Sequence, residues 1–379
     1  MNIVFLSAEY ATWAPGGVGT FLQTFGRTLV TNGHSVTVLG VGVLETEEKL
    51  DDQGVQLVRL AKNASLLPNF LYNRKVINKR LKELHAQLQI DIIESAELGL
   101  AFISRKHFAK KVIRLHGGHH FFSEAEKRGI NFRKGLLEKR SFKKADAFIA
   151  VSNYVKEHTG AYLSYHNKPI EIINHPIHTT QISREVQIQE DRILFAGTVC
   201  EKKGVRQLIE GFKIVRETKP EMALDIFGRD WFYPDGSSYI ETLQEQYDAR
   251  YFVNVTFHGS VSREELDIRY AEASLCVFPS HMETQGLVSL EAMALKKPVI
   301  FSMYGPGPEV IEHMKTGLLC DVYKPEDIAE KILWCLDHPE EAKQLGIAAE
   351  KVVRVRYDKI TILDKNLSFY NRLQANGQV

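Results

Sequence analysis

Residues 279–319, PSHMETQGLVSLEAMALKKPVIFSMYGPGPEVIEHMKTGLL, set two carboxylates eight positions apart. These are Glu283 and Glu291, with Gly286 between them. The second opens an amphipathic helix, and the loop before it supplies backbone N–H groups. A carboxylate accepts hydrogen bonds from hydroxyls, and a helix start offers free donors and a positive dipole end to phosphate. Such a stretch can hold both ends of a sugar nucleotide, one acid on the sugar, the other on the ribose, the N–H groups on the charge between. A helix-capping acid and an unrelated surface acid fit the spacing equally well.

A second constellation stands near the start, Tyr10-Ala-Thr-Trp-Ala-Pro-Gly-Gly-Val-Gly-Thr. Gly16 and Gly17 remove side chains so that a ligand can reach the backbone, and a helix follows. A sharp turn accounts for two glycines as readily. The loop is not a dinucleotide fingerprint. Gly17 and Gly19 supply the first two glycines, but Leu22 holds the third position, and the second strand ends in Leu39-Gly40 with no acid for a ribose hydroxyl. His116, His119 and His120 form HGGHH without a carboxylate or cysteine at metal-ligand spacing. Cys200, Cys276, Cys320 and Cys335 show no CxxC pair, so neither a zinc site nor a disulfide frame is expected.

These residues need strand ends and helix starts to hold them. Short apolar runs at 2–7, 35–39, 91–94, 111–115 and 147–151 read as buried strands, alternating with helical stretches at 18–31 and 72–88. The pattern restarts with strands at 191–197, 222–228, 255–259, 275–280 and 298–302 and helices at 204–217 and 326–337. Alternation of this kind predicts parallel sheets covered by helices. A chain of 379 residues exceeds one ordinary core. The polar, aperiodic stretch at 170–190 marks the seam, giving domains 1–175 and 187–358. A last helix, 359–375, is free to pack back on the first. Open parallel sheets bind ligands beyond their carboxyl ends. Gly16-Gly17, Gly117-Gly118, Gly197 and Gly228 all fall at such ends, so the two halves are expected to share one cleft.

No apolar run reaches the 18–20 residues or so of a membrane span, and MNIVFLSAEY reads as a first strand, not a leader. A cytoplasmic protein is expected. Charge is uneven: residues 1–185 carry 25 Lys and Arg against 17 Asp and Glu, the remainder 23 against 30. A basic first half suits an anionic partner such as a lipid surface or phosphorylated acceptor, or is a solvated face. Phe121 and Phe122 read as a buried aromatic pair ahead of a lipid contact. No nucleic acid partner is expected.

The 279–319 stretch resembles the E-x7-E signature of the retaining glycosyltransferases of family 4. The resemblance lies in Pro279-Ser280, Glu283, Gly286-Leu287, Glu291-Ala292-Met293-Ala294, Lys297-Pro298-Val299-Ile300, Pro308-Glu309 and Gly317. Further landmarks follow in order: Pro15-Gly16-Gly17-Val18, Leu115-His116-Gly117, Ala150-Val151-Ser152, Gly197, Lys203-Gly204 and Phe257-His258-Gly259. The resemblance covers most of the chain.

It implies an α/β protein of the GT-B fold, two Rossmann-like domains whose parallel sheets face each other across a cleft. It implies transfer of a sugar from a nucleotide diphosphate, UDP- or GDP-linked, to a glycan, lipid-linked or small-molecule acceptor, with retention and without a metal or other cofactor. Gly16 and Gly17 would lie beside the diphosphate and acceptor, and His116 near the reacting carbon. Lys203 would neutralise the diphosphate, Glu283 bind sugar hydroxyls and Glu291 the ribose. The N–H groups of Gly286, Leu287 and Val288 would seat sugar and phosphates, and Phe257 to Gly259 would line the base pocket. His116, Glu283 and Lys203 are the expected catalytic residues.

The chain also departs from the family. Thr198 stands where an arginine usually follows Gly197, with Lys202 or Arg229 as substitutes or a weakened donor site as the consequence. Lys296 replaces a glycine, and Asn174-His175-Pro176-Ile177 replaces NGVD. A nucleotide-sugar epimerase and a degenerate sugar-nucleotide-binding protein are the competing readings.

Overall fold

A computed structural model describes residues 1–13, 16–104, 108–125, 129–177 and 186–375, with only the backbone at 124 and 125. Pro15, the first two residues of the basic run 127–144, and the centre of the seam lie outside the described residues. The chain divides into two compact units. One is Met1–Pro176 with Lys359–Val379, and the other is Ile177–Asp358.

The first unit holds eight strands: β1 (Asn2–Leu6), β2 (Ser35–Val41), β3 (Glu48–Asp52), β4 (Val55–Leu60), β5 (Ile92–Ser95), β6 (Lys110–Leu115), β7 (Ala147–Ala150) and β8 (Ile170–Ile172). Their order is β3-β4-β2-β1-β5-β6-β7-β8. Every pairing is parallel except β3 with β4. That hairpin corrects the expectation of a wholly parallel sheet. β3, EKLDD, is a half-exposed edge strand with no buried residue, so it leaves no hydrophobic period to read. Gln53 (φ 53°) and Gly54 (φ 89°) make the tight turn, both left-handed as a two-residue hairpin with the strands' twist requires.

β1, β6 and β7 are buried on both faces, which is why they read as unbroken apolar runs. Helix Gly17–Thr31 turns Phe21, Leu22, Phe25 and Leu29 inward, one stripe at helical period. Helix Lys359–Ala375 adds Ile362, Leu363, Phe369, Tyr370 and Leu373 to this same core. A buried polar cluster ties it down. Arg114 of β6 donates to Glu94 of β5 (Nε–Oε1 2.7 Å) and to Asn366 (2.6 Å), and the Tyr370 hydroxyl donates to Glu94 (2.5 Å).

The second unit is a six-stranded sheet of β9 (Gln189–Ala196), β10 (Ala223–Phe227), β11 (Val255–Gly259), β12 (Ala273–Phe278), β13 (Val299–Ser302) and β14 (Leu318–Cys320). Its order is β11-β10-β9-β12-β13-β14, parallel throughout. Its core is separate and contains Cys276, Cys320 and Cys335; these and Cys200 are buried and unpaired. Among the described residues no helix is long and apolar enough to cross a membrane.

Candidate functional site

In the second unit three neighbouring strands end in glycine. Gly197, Gly228 and Gly259 follow or close β9, β10 and β11 with φ of 143°, 145° and 70°. Gly197 N donates to Phe227 O (2.9 Å) and Gly228 N to Gly259 O (2.8 Å). A Cβ on Gly228 would fall 1.8 Å from Gly197 O, so no other residue fits there. The carboxyl edge of the sheet is therefore bare backbone, which lets a ligand approach closely. Thr198 is half-buried beside it.

Lys203 ends the short 3-10 turn Glu201–Lys203. Gly204 follows in a left-handed conformation (φ 70°), and a Cβ there would lie 1.9 Å from Pro279 O. This close approach brings two distant loops together. The Lys203 ammonium pairs with the Glu283 carboxylate, and Ser280 Oγ donates to the same oxygen (3.2 Å). Gly286 (φ 78°) caps helix Leu287–Ala294, with its space closed by the Phe301 ring. Ser289 N makes the first turn's bond to Gly286 O (3.1 Å), so the N–H groups of Leu287 and Val288 precede the intrahelical ladder and point out of it.

Glu291, on the same helix, pairs with Arg263, whose other guanidinium nitrogen lies 2.8 Å from Asp267. Burial raises the Glu291 carboxyl above its ordinary range, with Arg263 opposing. Arg263 was not legible in the sequence. It sits in the first turn of a separate helix, Arg263–Glu272, and nothing in SREEL marks it as a partner for Glu291. Phe257 is half-buried and Gly259 exposed on β11. A cavity of about 220 Å³ is lined by Arg192, Asp225, Phe227 and His258, and of the residues expected from the sequence it includes only His258, from the stretch Phe257 to Gly259.

In the first unit, His116 follows β6 and is half-buried against Phe21 (ring centroids 5.3 Å) and His175 (4.9 Å). Burial, with Arg114 adding, pushes its imidazole down to about 3, so the ring is neutral at physiological pH. Phe21 belongs to the helix that Gly17 opens, which joins the glycine loop and His116 at one edge of the sheet. A Cβ on Gly17 would meet nothing within 4 Å, and one on Gly16 would meet the Glu9 carboxylate at 2.9 Å.

The rest of HGGHH is clasped by two acids. Glu97 accepts from Gly117 N (2.8 Å). Glu138, fully buried, accepts from His119 N, from His120 N (3.0 Å) and pairs with His120 Nδ1. A Cβ on Gly118 would lie 2.3 Å from Glu138 Oε1 and 2.8 Å from Glu97 Cγ. Burial first, with the Glu138 charge adding, pushes the Glu97 carboxyl up to about 8. Both acids were missed in the sequence, where each stands about 20 residues from the loop. Among the described residues no three His, Cys, Asp or Glu side chains are grouped to hold a metal. Phe121 is buried and meets Phe122 edge to face at 5.0 Å.

Comparison with known proteins follows this division. Residues 15–181 match the family model Glycosyltransferase Family 4, and 179–352 match Glycosyl transferases group 1. An uncharacterized glycosyltransferase of Methanocaldococcus jannaschii is 26% identical over 356 residues, 87% of each chain. Sucrose-phosphate synthase from Thermosynechococcus elongatus superposes with a TM-score of 0.83 at 20% identity, covering 99% of both chains. HepE of Anabaena, solved with UDP and glucose, gives 0.74 at 17% identity, covering 98% of this chain and 100% of that one. The two Rossmann-like units are thus those of the GT-B fold.

Proposed function

This chain being a glycosyltransferase on a GT-B scaffold, we propose that it transfers a sugar, with retention and without a metal, from a UDP- or GDP-linked donor held by the second unit. The observation that carries the reading is the junction of Lys203 with Glu283 next to the open first turn of the helix bearing Glu291. It gathers one cation, two carboxylates and two free N–H groups beside a bare backbone edge. Binding of UDP by HepE, on the same fold, supports a uridine donor.

In this reaction the bond from the anomeric carbon to the diphosphate breaks and a bond to an acceptor oxygen forms on the same face. The acceptor proton passes to the departing phosphate oxygen. Negative charge grows on the leaving group, so Lys203 and the N–H groups of Leu287 and Val288 stabilise the transition state more than the ground state. Glu283 keeps lone pairs for sugar hydroxyls after pairing with Lys203, and Glu291 keeps them for the ribose after pairing with Arg263. Neutral His116 would hydrogen-bond the donor sugar near its reacting carbon, and the glycines at 16 and 17 would leave room beside the diphosphate and the acceptor.

Slow donor hydrolysis tests this without an acceptor. Proton NMR of the sugar released from UDP- and GDP-hexoses in EDTA should show the donor's own anomeric configuration first. An inverted product, or none without magnesium, would remove the mechanism. A modified sugar still on its nucleotide would favour an epimerase.

A membrane partner is a second proposal, with its own observation. Ile130, Phe132 (81% exposed) and Leu136 lie exposed at the start of a helix, Phe132–Lys144, that also carries Arg133, Lys134, Lys139, Arg140 and Lys143. Apolar side chains among bases suit an anionic bilayer surface, and would serve a lipid-linked acceptor.

A further inference from the structure

Thr198 and Arg229 stand side by side at the ends of β9 and β10. An isolated parallel bridge pairs Val199 with Asp230. Val199 N donates to Arg229 O (2.9 Å), and Trp231 N to Val199 O (3.2 Å). One step back along that register sets Thr198 beside Arg229. Residues in register on paired strands project to the same face, and successive residues to opposite faces, at a strand spacing of about 4.8 Å. Burial follows the alternation. Val199 is buried, and the Asp230 carboxylate turns in to accept from Ser238 Oγ (2.5 Å), while Thr198 is half-buried and Arg229 exposed.

The Arg229 charge is uncommitted. Among the described residues neither an ion pair nor a side-chain hydrogen bond engages it, whereas Lys203 is already paired with Glu283. The backbone around it is stripped of side chains by Gly197, Gly228 and Gly259. A guanidinium there has the planar fork that grips phosphate oxygens in pairs. Thr198 cannot supply that charge itself.

We infer that Arg229 is a diphosphate-binding residue, providing from the neighbouring strand end the positive charge that position 198 lacks. This rests on the reading of the second unit's strand ends as the donor site. The arm of an arginine is long enough to span the one strand spacing between the two positions.

Calorimetric titration of the full chain with UDP, UMP, GDP and GMP tests it, comparing wild type with Arg229→Ala, Thr198→Arg/Arg229→Ala and Glu291→Ala. Losing one charge-assisted contact corresponds to about 10–100-fold. Arg229→Ala should weaken the diphosphate by that factor, leave the monophosphate within about threefold by the same conversion, and keep the wild-type melting temperature. Adding Thr198→Arg should restore most of the loss, which a merely structural role would not allow. Wild-type diphosphate affinity in Arg229→Ala, alongside lost binding in Glu291→Ala, would overturn the Arg229 role and leave the donor site standing. Equal loss of diphosphate and monophosphate would also overturn it. No binding by the wild-type chain would overturn the donor-site reading, and this inference with it.

Discussion

Lys203 and Glu283 lie 80 residues apart in the chain and meet as an ion pair, with Ser280 donating to the same carboxylate oxygen. Their meeting depends on Gly204, whose missing side chain lets the first loop rest on Pro279 O.

Replacing Lys203 by Met removes the cation proposed to face the departing phosphate and keeps most of the side chain's volume. Loss of one preorganised group that acts on developing charge costs about 10²–10³ in kcat. Steady-state kinetics on donor hydrolysis should show kcat falling by that factor while KM changes little. A change confined to KM would assign Lys203 to ground-state binding alone.

Glu291 and Arg263 form a partly buried pair, so Glu291→Ala leaves the guanidinium to Asp267 alone as well as removing an acceptor. Donor affinity should weaken by about 2–3 kcal/mol, as for a charged hydrogen bond. In a double-mutant cycle, Arg263→Ala should couple to Glu291→Ala by more than about 0.5 kcal/mol. Additive effects would mean that the pair does not hold Glu291 for the ligand.

Glu97 gives a pH signature. Its folded carboxyl titrates near 8, well above the usual range near 4.3. Between those values the folded state holds a proton that the unfolded state has released, so stability falls as pH rises. His116 has the opposite sign, held near 3 in the fold, and adds stability as pH rises to about 6.5. Glu97→Gln keeps an oxygen for Gly117 N and removes the titration. Relative to wild type it should gain stability steadily from pH 5 to 8, on the order of 1–4 kcal/mol in all. Parallel urea midpoints for the two proteins across that range would contradict this.

Tyr370 couples the last helix to β5 and β6 through Glu94 and Arg114. Tyr370→Phe leaves a buried carboxylate short of one donor and should cost about 1–3 kcal/mol in urea unfolding. A change under about 0.5 kcal/mol, the range of unimportant surface substitutions, would show that Arg114 and Asn366 satisfy Glu94 without it.

What could be read from the sequence followed from physics that is local in the chain. Buried parallel strands such as β1 and β7 announce themselves as apolar runs, and Phe21, Leu22, Phe25 and Leu29 mark one helix face. Gly286 and Glu291 stand within one loop and helix, so their spacing carries meaning. The β3 hairpin was hidden because an exposed edge strand needs no apolar period. Arg263, Glu97 and Glu138 were hidden for another reason. Each acts on residues about 20 to 30 positions away, and only the packed fold brings them to their partners. HGGHH gained its two carboxylates in that way, and they grip its backbone.

Every role proposed for the second unit requires that it bind a nucleoside diphosphate without a metal. Thermal unfolding of the wild-type chain with saturating UDP or GDP, in EDTA and again in magnesium, tests it most directly. A ligand at 100 times its dissociation constant adds about 2.7 kcal/mol. Melting temperature should rise clearly with one of the two, equally in EDTA and in magnesium, and most of that rise should be lost in Glu291→Ala. A rise seen only with magnesium, or none with either nucleotide, would contradict it.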